Sequence, residues 1–392
     1  MTPSPGDALT SAQRIKPRLA ARAEQYDRSG QFPVDDFEDL RRAELMGLMV
    51  PVRLGGIGAG FADYVQVAMT LAEGNGATAL VYNMHSSIIG GLATTPDDMA
   101  RAMGADEGFF VARDQWLKAA QNGAFFAVAM SERSSGSRIS AACTTYEKVH
   151  DGYRIKGSKT FVSGAGFGDF YLIAARNANE DSPDVSHFMV PDGDGVGVEK
   201  TWDSLGMRAT GSHDIHIDTV VAEDALIGAM EGLALPLAML MPQWLVASYS
   251  AVYVGVAQSA VDAAAEHVAK RELAHLPSVR ARIGRADAAV HAARLTVNEA
   301  ARQVDAAPGT AETNRSVYRA KLLAGQTAMD VAASMLEAAG TSATRKGHPL
   351  ERIYRDARCG SLQPATSDVC ADWLGISVLG GDPELDATVS RW

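Results

Sequence analysis

Apolar positions in the first third of the chain follow a helical rhythm. From Ala8 to about Gln121, Ala and Leu recur at spacings of three and four among Arg and Glu, the period of helices that bury one face. The glycine-rich stretch Pro51–Gly60 interrupts this rhythm, and a further helix is predicted across Ala68–Val81. Between Gly123 and about Gly228 the texture changes to β-branched and aromatic runs separated by turn residues. Thr144–Val149 and Tyr153–Ile155 flank Asp151 and Gly152, a hairpin signal because glycine tolerates the backbone of a tight turn. Further strands are predicted at Phe170–Ala175, His187–Val190 and Asp214–Val221, and several short antiparallel strands of this kind suggest a small barrel or sandwich. From Leu233 to about Leu379 the helical period returns in Ala-rich amphipathic segments such as Val254–Arg271 and Ser278–Ala306, which suit a four-helix bundle with a subunit interface.

Length fits this division. A chain of 392 residues exceeds one ordinary hydrophobic core, and the expected units are a helical domain (1–121), a β-barrel (122–228) and a helical bundle (229–392). The fold class is therefore α+β. The composition, 47% hydrophobic and 21% charged, is that of a globular chain. A formal charge of -11 argues against a nucleic-acid partner, since phosphate binding needs clustered Lys and Arg. Cys143, Cys359 and Cys370 form no C-x-x-C pair and suit a reducing cytoplasm. The opening residues contain no apolar core of signal-peptide type, so a cytoplasmic protein is expected. The richest apolar stretch, Leu233–Ala257, is interrupted by Pro236 and Pro242 and is read as a buried helix rather than a membrane span.

Local motifs resemble one family. Arg53–Gly60 (RLGGIGAG), Phe126–Ser137 (FAVAMSERSSGS), Lys156–Ser163 (KGSKTFVS), Leu205–Ser212 (LGMRATGS) with Asp218–Asp224 (DTVVAED), and Glu351–Arg358 (ERIYRDAR) occur in one order, and together they resemble the acyl-CoA dehydrogenase superfamily. The resemblance implies a flavin, FAD first and FMN as the alternative. It would place the backbone of Met130 and Ser131 and the Ser131 hydroxyl at the pyrimidine end of the ring. Phe161 and Val162 would lie along one face, with Ser163 near N5. Thr366 is a further implied flavin contact. Arg271 matches the arginine of an R-x-x-F-G motif in which Ala274 and His275 replace Phe and Gly, and Glu337–Gly340 takes the place of a Q-x-x-G segment at the pyrophosphate. A carboxylate there opposes a phosphate. The family also implies a homotetramer or homodimer.

The family's carboxylate base is missing. Relatives carry it in a YEGT segment after the RDA(K/R) helix, and here the corresponding residues are Gln363–Thr366, with Pro364 at the glutamate. Others supply it ten residues before a G-(L/V)-A-Q turn, which is Leu245 here, followed by Val246 where an arginine is usual. Three readings follow. An acyl-thioester dehydrogenase passing electrons to an electron-transfer flavoprotein is expected first, with Asp368 as a displaced base and Ser137 near a CoA-linked substrate. A monooxygenase fed by a flavin reductase is the alternative, because Phe161–Ala165 (FVSGA) resembles the F-C-S-G-A segment of that branch. His85 would then be a pocket histidine, and Gln363 would stand where sulfur-oxidising members carry one. A non-catalytic flavin-binding relative is the third. No metal site is expected, because His213 and His216 point to opposite faces of one strand.

Overall fold

The computed structural model describes residues 4–102, 104–244 and 246–386. The first helix, α1 (Pro5–Ser29), begins where Ser4 and Asp7 cap each other: Asp7 N–H donates to Ser4 Oγ at 3.3 Å and Ser4 N–H to Asp7 Oδ2 at 2.9 Å, satisfying two backbone donors at the open helix end. Its buried stripe is Ala8, Ala12, Ile15, Leu19, Ala23 and Tyr26, the three- and four-residue spacing of one helical face. Helices α2 (Val34–Arg42), α3 (Phe61–Gly74), α4 (Gly76–Thr94), α5 (Asp97–Ala102) and α6 (Glu107–Gln121) complete this region.

The helix expected across Ala68–Val81 is broken at Asn75. This residue is extended (φ −148°), accepts from Ala77 N–H at 3.2 Å and donates to Asp36 at 3.1 Å. An asparagine between two glycines gives the backbone an alternative to the helical ladder, and the chain turns there from α3 into α4.

The centre is a seven-stranded curled sheet ordered β1-β4-β2-β3-β7-β6, with β5 on the far side of β4. Its strands are β1 (Phe126–Ala129), β2 (Thr145–Val149), β3 (Gly152–Val162), β4 (Phe170–Asn177), β5 (Val185–Pro191), β6 (Val196–Glu199) and β7 (His213–Val221). The expected hairpin is β2–β3, registered Val149 to Gly152. Gly152 is needed twice over: its φ is 136°, and a Cβ would collide with the Val221 carbonyl oxygen. The sheet is mixed rather than purely antiparallel, because β1 runs parallel to β4. A parallel pair needs a long crossover, and the intervening hairpin supplies it.

Helices α7 (Ala234–Leu240), α8 (Ala247–Lys270), α9 (Pro277–Ala306), α10 (Ala311–Ala339), α11 (Pro349–Arg358) and α12 (Ser367–Val378) follow. The segment Pro242–Lys270 is long and apolar enough to cross a membrane, yet 82% of its apolar window is buried inside the fold. Helix α8 is the central rod of the bundle, and Gly255 lets it approach α3 so closely that a Cβ would strike the Met69 carbonyl. Arg355 fastens α11 to the rest, donating to Asp27 at 2.6 and 2.9 Å, to Glu351 at 2.8 Å and to the Leu205 carbonyl at 3.0 Å.

Candidate functional site

A cavity of about 480 Å³ opens between the sheet, α4, α8 and the loop after α11. Strand β1 delivers Met130 and Ser131 to its wall, while β3 delivers Phe161 and Ser163. The pairing of β3 with β7 slips between Lys159 and Val162, a bulge that re-aims a side chain. Phe161 sits in that bulge with φ 56°, strained backbone for a bulky residue and the kind that marks functional sites. Its ring is 61% exposed and meets Trp202 edge-on at 5.8 Å. Asp214 on β7 fixes the bulge, accepting from Thr160 Oγ1 at 2.7 Å and from Arg133 Nε at 2.6 Å. Val162 points into the core and is fully buried.

Behind Met130, a buried ion pair joins Lys159 Nζ to Glu132 Oε1 at 2.7 Å. Burial acts to raise the Glu132 carboxyl, but Lys159 and the backbone donors of Cys143 and Thr144 outweigh it and hold it below its ordinary range. Lys159 also donates to the Met130 carbonyl at 3.2 Å, so the ion pair positions the site's backbone.

The hydroxyls have a direction. Ser163 Oγ lies 2.9 Å from Ser212 Oγ, which lies 2.7 Å from Thr210 Oγ1, and Thr210 donates to the Met207 carbonyl at 2.9 Å. A carbonyl only accepts, so Thr210 spends its proton there, Ser212 donates to Thr210, and Ser163 donates to Ser212. Ser163 is left with lone pairs for the cavity.

The opposite wall is neutral. Tyr249 and Cys359 line it, and burial pushes both up to about 12, so neither ionises near neutral pH. Gln363 accepts from Tyr253 Oη at 2.7 Å through its side chain, and its carbonyl accepts from Lys321 Nζ at 3.1 Å. Pro364 lies beside it. Among the described residues, no Asp or Glu lines this cavity.

The expected residues divide. Met130, Ser131, Ser137, Phe161, Ser163 and Gln363 line the one cavity. His85 does not: it is buried, with Nε2 2.8 Å from the Met46 carbonyl and Nδ1 accepting from Phe126 N–H at 3.3 Å. Both nitrogens are satisfied within the core. Asp368 is exposed in the first turn of α12, and Thr366 caps that helix, accepting from Val369 N–H at 3.3 Å. Arg271 ends α8, 22 residues beyond Tyr249, about 33 Å along a helix. Glu337 pairs with Arg282 at 2.6 Å, and Gly340 follows the end of α10. One protomer therefore does not bring these three to the cavity. Leu245 lies outside the described residues. Of the strand histidines, His213 accepts from Trp202 N–H at 3.0 Å while His216 is on the outer face with Glu199 and Ser158.

Sequence reasoning missed Trp202, Tyr249 and His187, which all line the cavity. His187 on β5 carries no local motif, and its Nε2 is buried without a hydrogen-bond partner among the described residues. Burial, reinforced by the Lys159 charge, pushes it down to about 4, so it is a neutral imidazole at pH 7.

An outturned aromatic ring, facing hydroxyls and an uncharged wall suit a planar heteroaromatic group. The chain matches the models of the acyl-CoA dehydrogenase N-terminal domain over residues 10–95, middle domain over 127–220 and C-terminal domain over 247–366. It is 29% identical to a putative acyl-CoA dehydrogenase of Bacillus subtilis, covering 91% of this chain and 92% of that one. It is 30% identical to an L-evernosamine nitrososynthase of a Micromonospora species, covering 98% and 93%. The solved structure of KijD3 in complex with FMN and a dTDP-linked amino keto sugar aligns with a TM-score of 0.84 at 27% identity, covering 97% of this chain and 95% of that one. With all three domain models matched in order around this cavity, the chain belongs to the acyl-CoA dehydrogenase family of flavin-dependent oxidoreductases.

Proposed function

We propose that this protein is a flavin-dependent monooxygenase for a small organic substrate, supplied with reduced FMN or FAD by a separate reductase. The carrying observation is the uncharged cavity. Removing the α-proton of an acyl thioester needs a base poised near the working pH, and Pro364 and Leu245 occupy both positions where family members place one. The groups that do line the cavity are no substitute: Tyr249 and Cys359 stay protonated, and an imidazole held at about 4 is a weak base. Oxygenation requires no such base.

Met130, Ser131, Phe161 and Ser163 would hold the ring. Held there, a reduced flavin would supply the two electrons by which one atom of O2 enters the substrate and the other leaves as water. The chain's own tasks are to orient the ring against Phe161, to present the Ser163 lone pairs to an N–H donor, and to keep water out. A reduced isoalloxazine has such a donor at N5, whereas the oxidised ring has an acceptor there. The Ser163–Ser212–Thr210 direction thus favours the reduced ring. Likeness to a nitrososynthase across nearly the whole chain supports the same branch.

The test is to load the protein with flavin and add butyryl-CoA and longer acyl-CoAs without oxygen. No bleaching is expected. With NADH, a flavin reductase and oxygen, a panel of small arenes and amines is expected to yield a product heavier by one oxygen atom. Anaerobic bleaching by a thioester would instead establish the dehydrogenase.

A further inference from the structure

A second cavity, of about 150 Å³, lies between α4, the sheet and α7. It meets the first at Val128, Met130 and His187, which line both. Its other walls include Ile88, Leu92, Phe109, Leu172, Leu237 and Trp244. A chamber of this size and apolarity holds a group the size of benzene.

Two buried polar atoms on this lining have no partner among the described residues: His187 Nε2 and Trp244 Nε1. Buried groups of this kind are paired in native proteins, and an orphan calls for an explanation. Water is a poor one, because it needs two to four polar contacts. The chamber's hydroxyls are already engaged, Ser87 with the Asn83 carbonyl at 2.7 Å and Thr95 with the Gly91 carbonyl at 2.7 Å. A ligand carrying its own polar group beside an apolar body suits a chamber whose apolar wall carries the His187 ring.

Resting on the oxygenase assignment, we propose that His187 is the specificity-determining residue. It hydrogen-bonds a hydroxyl, amino or ring N–H group of the substrate, whose benzene-sized apolar portion fills the second chamber. A neutral imidazole offers one donor and one acceptor, so it reads polarity without demanding charge. An unbranched hydrocarbon chain passing the same point would leave His187 unpaired, which selects against simple acyl chains.

Phenol and toluene, which differ by hydroxyl against methyl, are the probes, and calorimetric titration into the flavin-loaded protein is the readout. His187→Leu is expected to weaken phenol at least tenfold while moving toluene less than twofold. His187→Gln, which keeps hydrogen-bonding groups, is expected to retain most of the phenol affinity. Leu237→Trp, which fills the chamber, is expected to exclude both probes. Equal changes for phenol and toluene in His187→Leu would overturn the proposal, as would toluene binding that ignores Leu237→Trp or a wild-type protein that binds neither probe. Binding is read without reductase or oxygen, so this failure is separable from a failure of oxygenation.

Discussion

Replacing Ser163 by Ala tests the direction of the hydroxyl chain. In the wild-type protein Thr210 surrenders its proton to the Met207 carbonyl, and that commitment passes through Ser212 to Ser163. In the proposed pose Ser163 Oγ would then accept from a reduced flavin at N5 and would have no proton to offer an oxidised one. One net hydrogen bond of this kind contributes about 1 kcal/mol, and up to about 3 where loss leaves a buried donor unsatisfied. Since about 1.4 kcal/mol corresponds to roughly 30 mV for a two-electron couple, Ser163→Ala is expected to lower the bound flavin's midpoint potential by about 20–60 mV. Reduced flavin should bind about five- to a hundredfold more weakly, with the oxidised form little changed. Ser212→Ala tests the same lock differently: freed of its acceptor, Ser163 can donate to an oxidised N5 as well as accept from a reduced one, so the preference for the reduced ring is lost and the potential is again expected to fall below wild type. Spectroelectrochemical titration of the three FMN-loaded proteins makes the comparison. A potential that rises or stays level in Ser163→Ala refutes the reasoning.

Other perturbations have equally definite outcomes. Asp368→Asn is expected to leave flavin affinity and product formation within twofold of wild type, because Asp368 is exposed outside the cavity; loss of turnover with flavin still bound would restore it as a base. His187 is held at about 4 in the fold against 6.5 as a free side chain, so the unfolded chain takes up its proton first as pH falls. Its contribution is therefore whole above pH 6.5 and lost towards pH 4, and His187→Leu should flatten the stability-pH slope there by up to about 1.4 kcal/mol per pH unit, measured by urea unfolding. Arg355→Ala strands the Asp27 carboxylate, while Glu351 keeps its pair with Lys346 at 2.6 Å, and is expected to cost about 3 kcal/mol in the same assay. Gly255→Ala drives a methyl into the Met69 carbonyl, and overpacking of this kind costs about 1–3 kcal/mol, seen as a lower denaturation midpoint.

What the sequence made legible was whatever a local pattern encodes. The order of helices, sheet and helices follows from a change of period, and Met130, Ser131, Phe161 and Ser163 sit in contiguous motifs whose spacing survives folding. The remainder depends on contacts across the chain. That Phe161 turns outward results from a slip of β3 against β7, and no feature of the KGSKTFVS segment announces it. The hydroxyl chain joins Ser163 to Ser212 and Thr210, residues that two separate motifs supply. His187 reads as an ordinary strand residue until two cavities meet at it. The monooxygenase resemblance put His85 in the pocket, yet the Met46 carbonyl and the Phe126 amide use both its nitrogens, a pairing that no helical period reveals.

The replacement of the carboxylate by Pro364 has a second consequence besides the loss of a base. A carboxylate in this enclosed space would repel an anionic reduced ring, since like charges in a poorly hydrated site oppose each other strongly. The chain instead fills that wall with Gln363, pinned by Tyr253 and by Lys321, whose ammonium also donates to the Gly360 carbonyl at 2.9 Å. The Gln363 side-chain oxygen is engaged by Tyr253, and its amide N–H donors have no partner among the described residues. The cavity thus lies between the Ser163 hydroxyl and the Gln363 amide with no formal charge on either, which leaves no carboxylate there to draw a proton from a substrate.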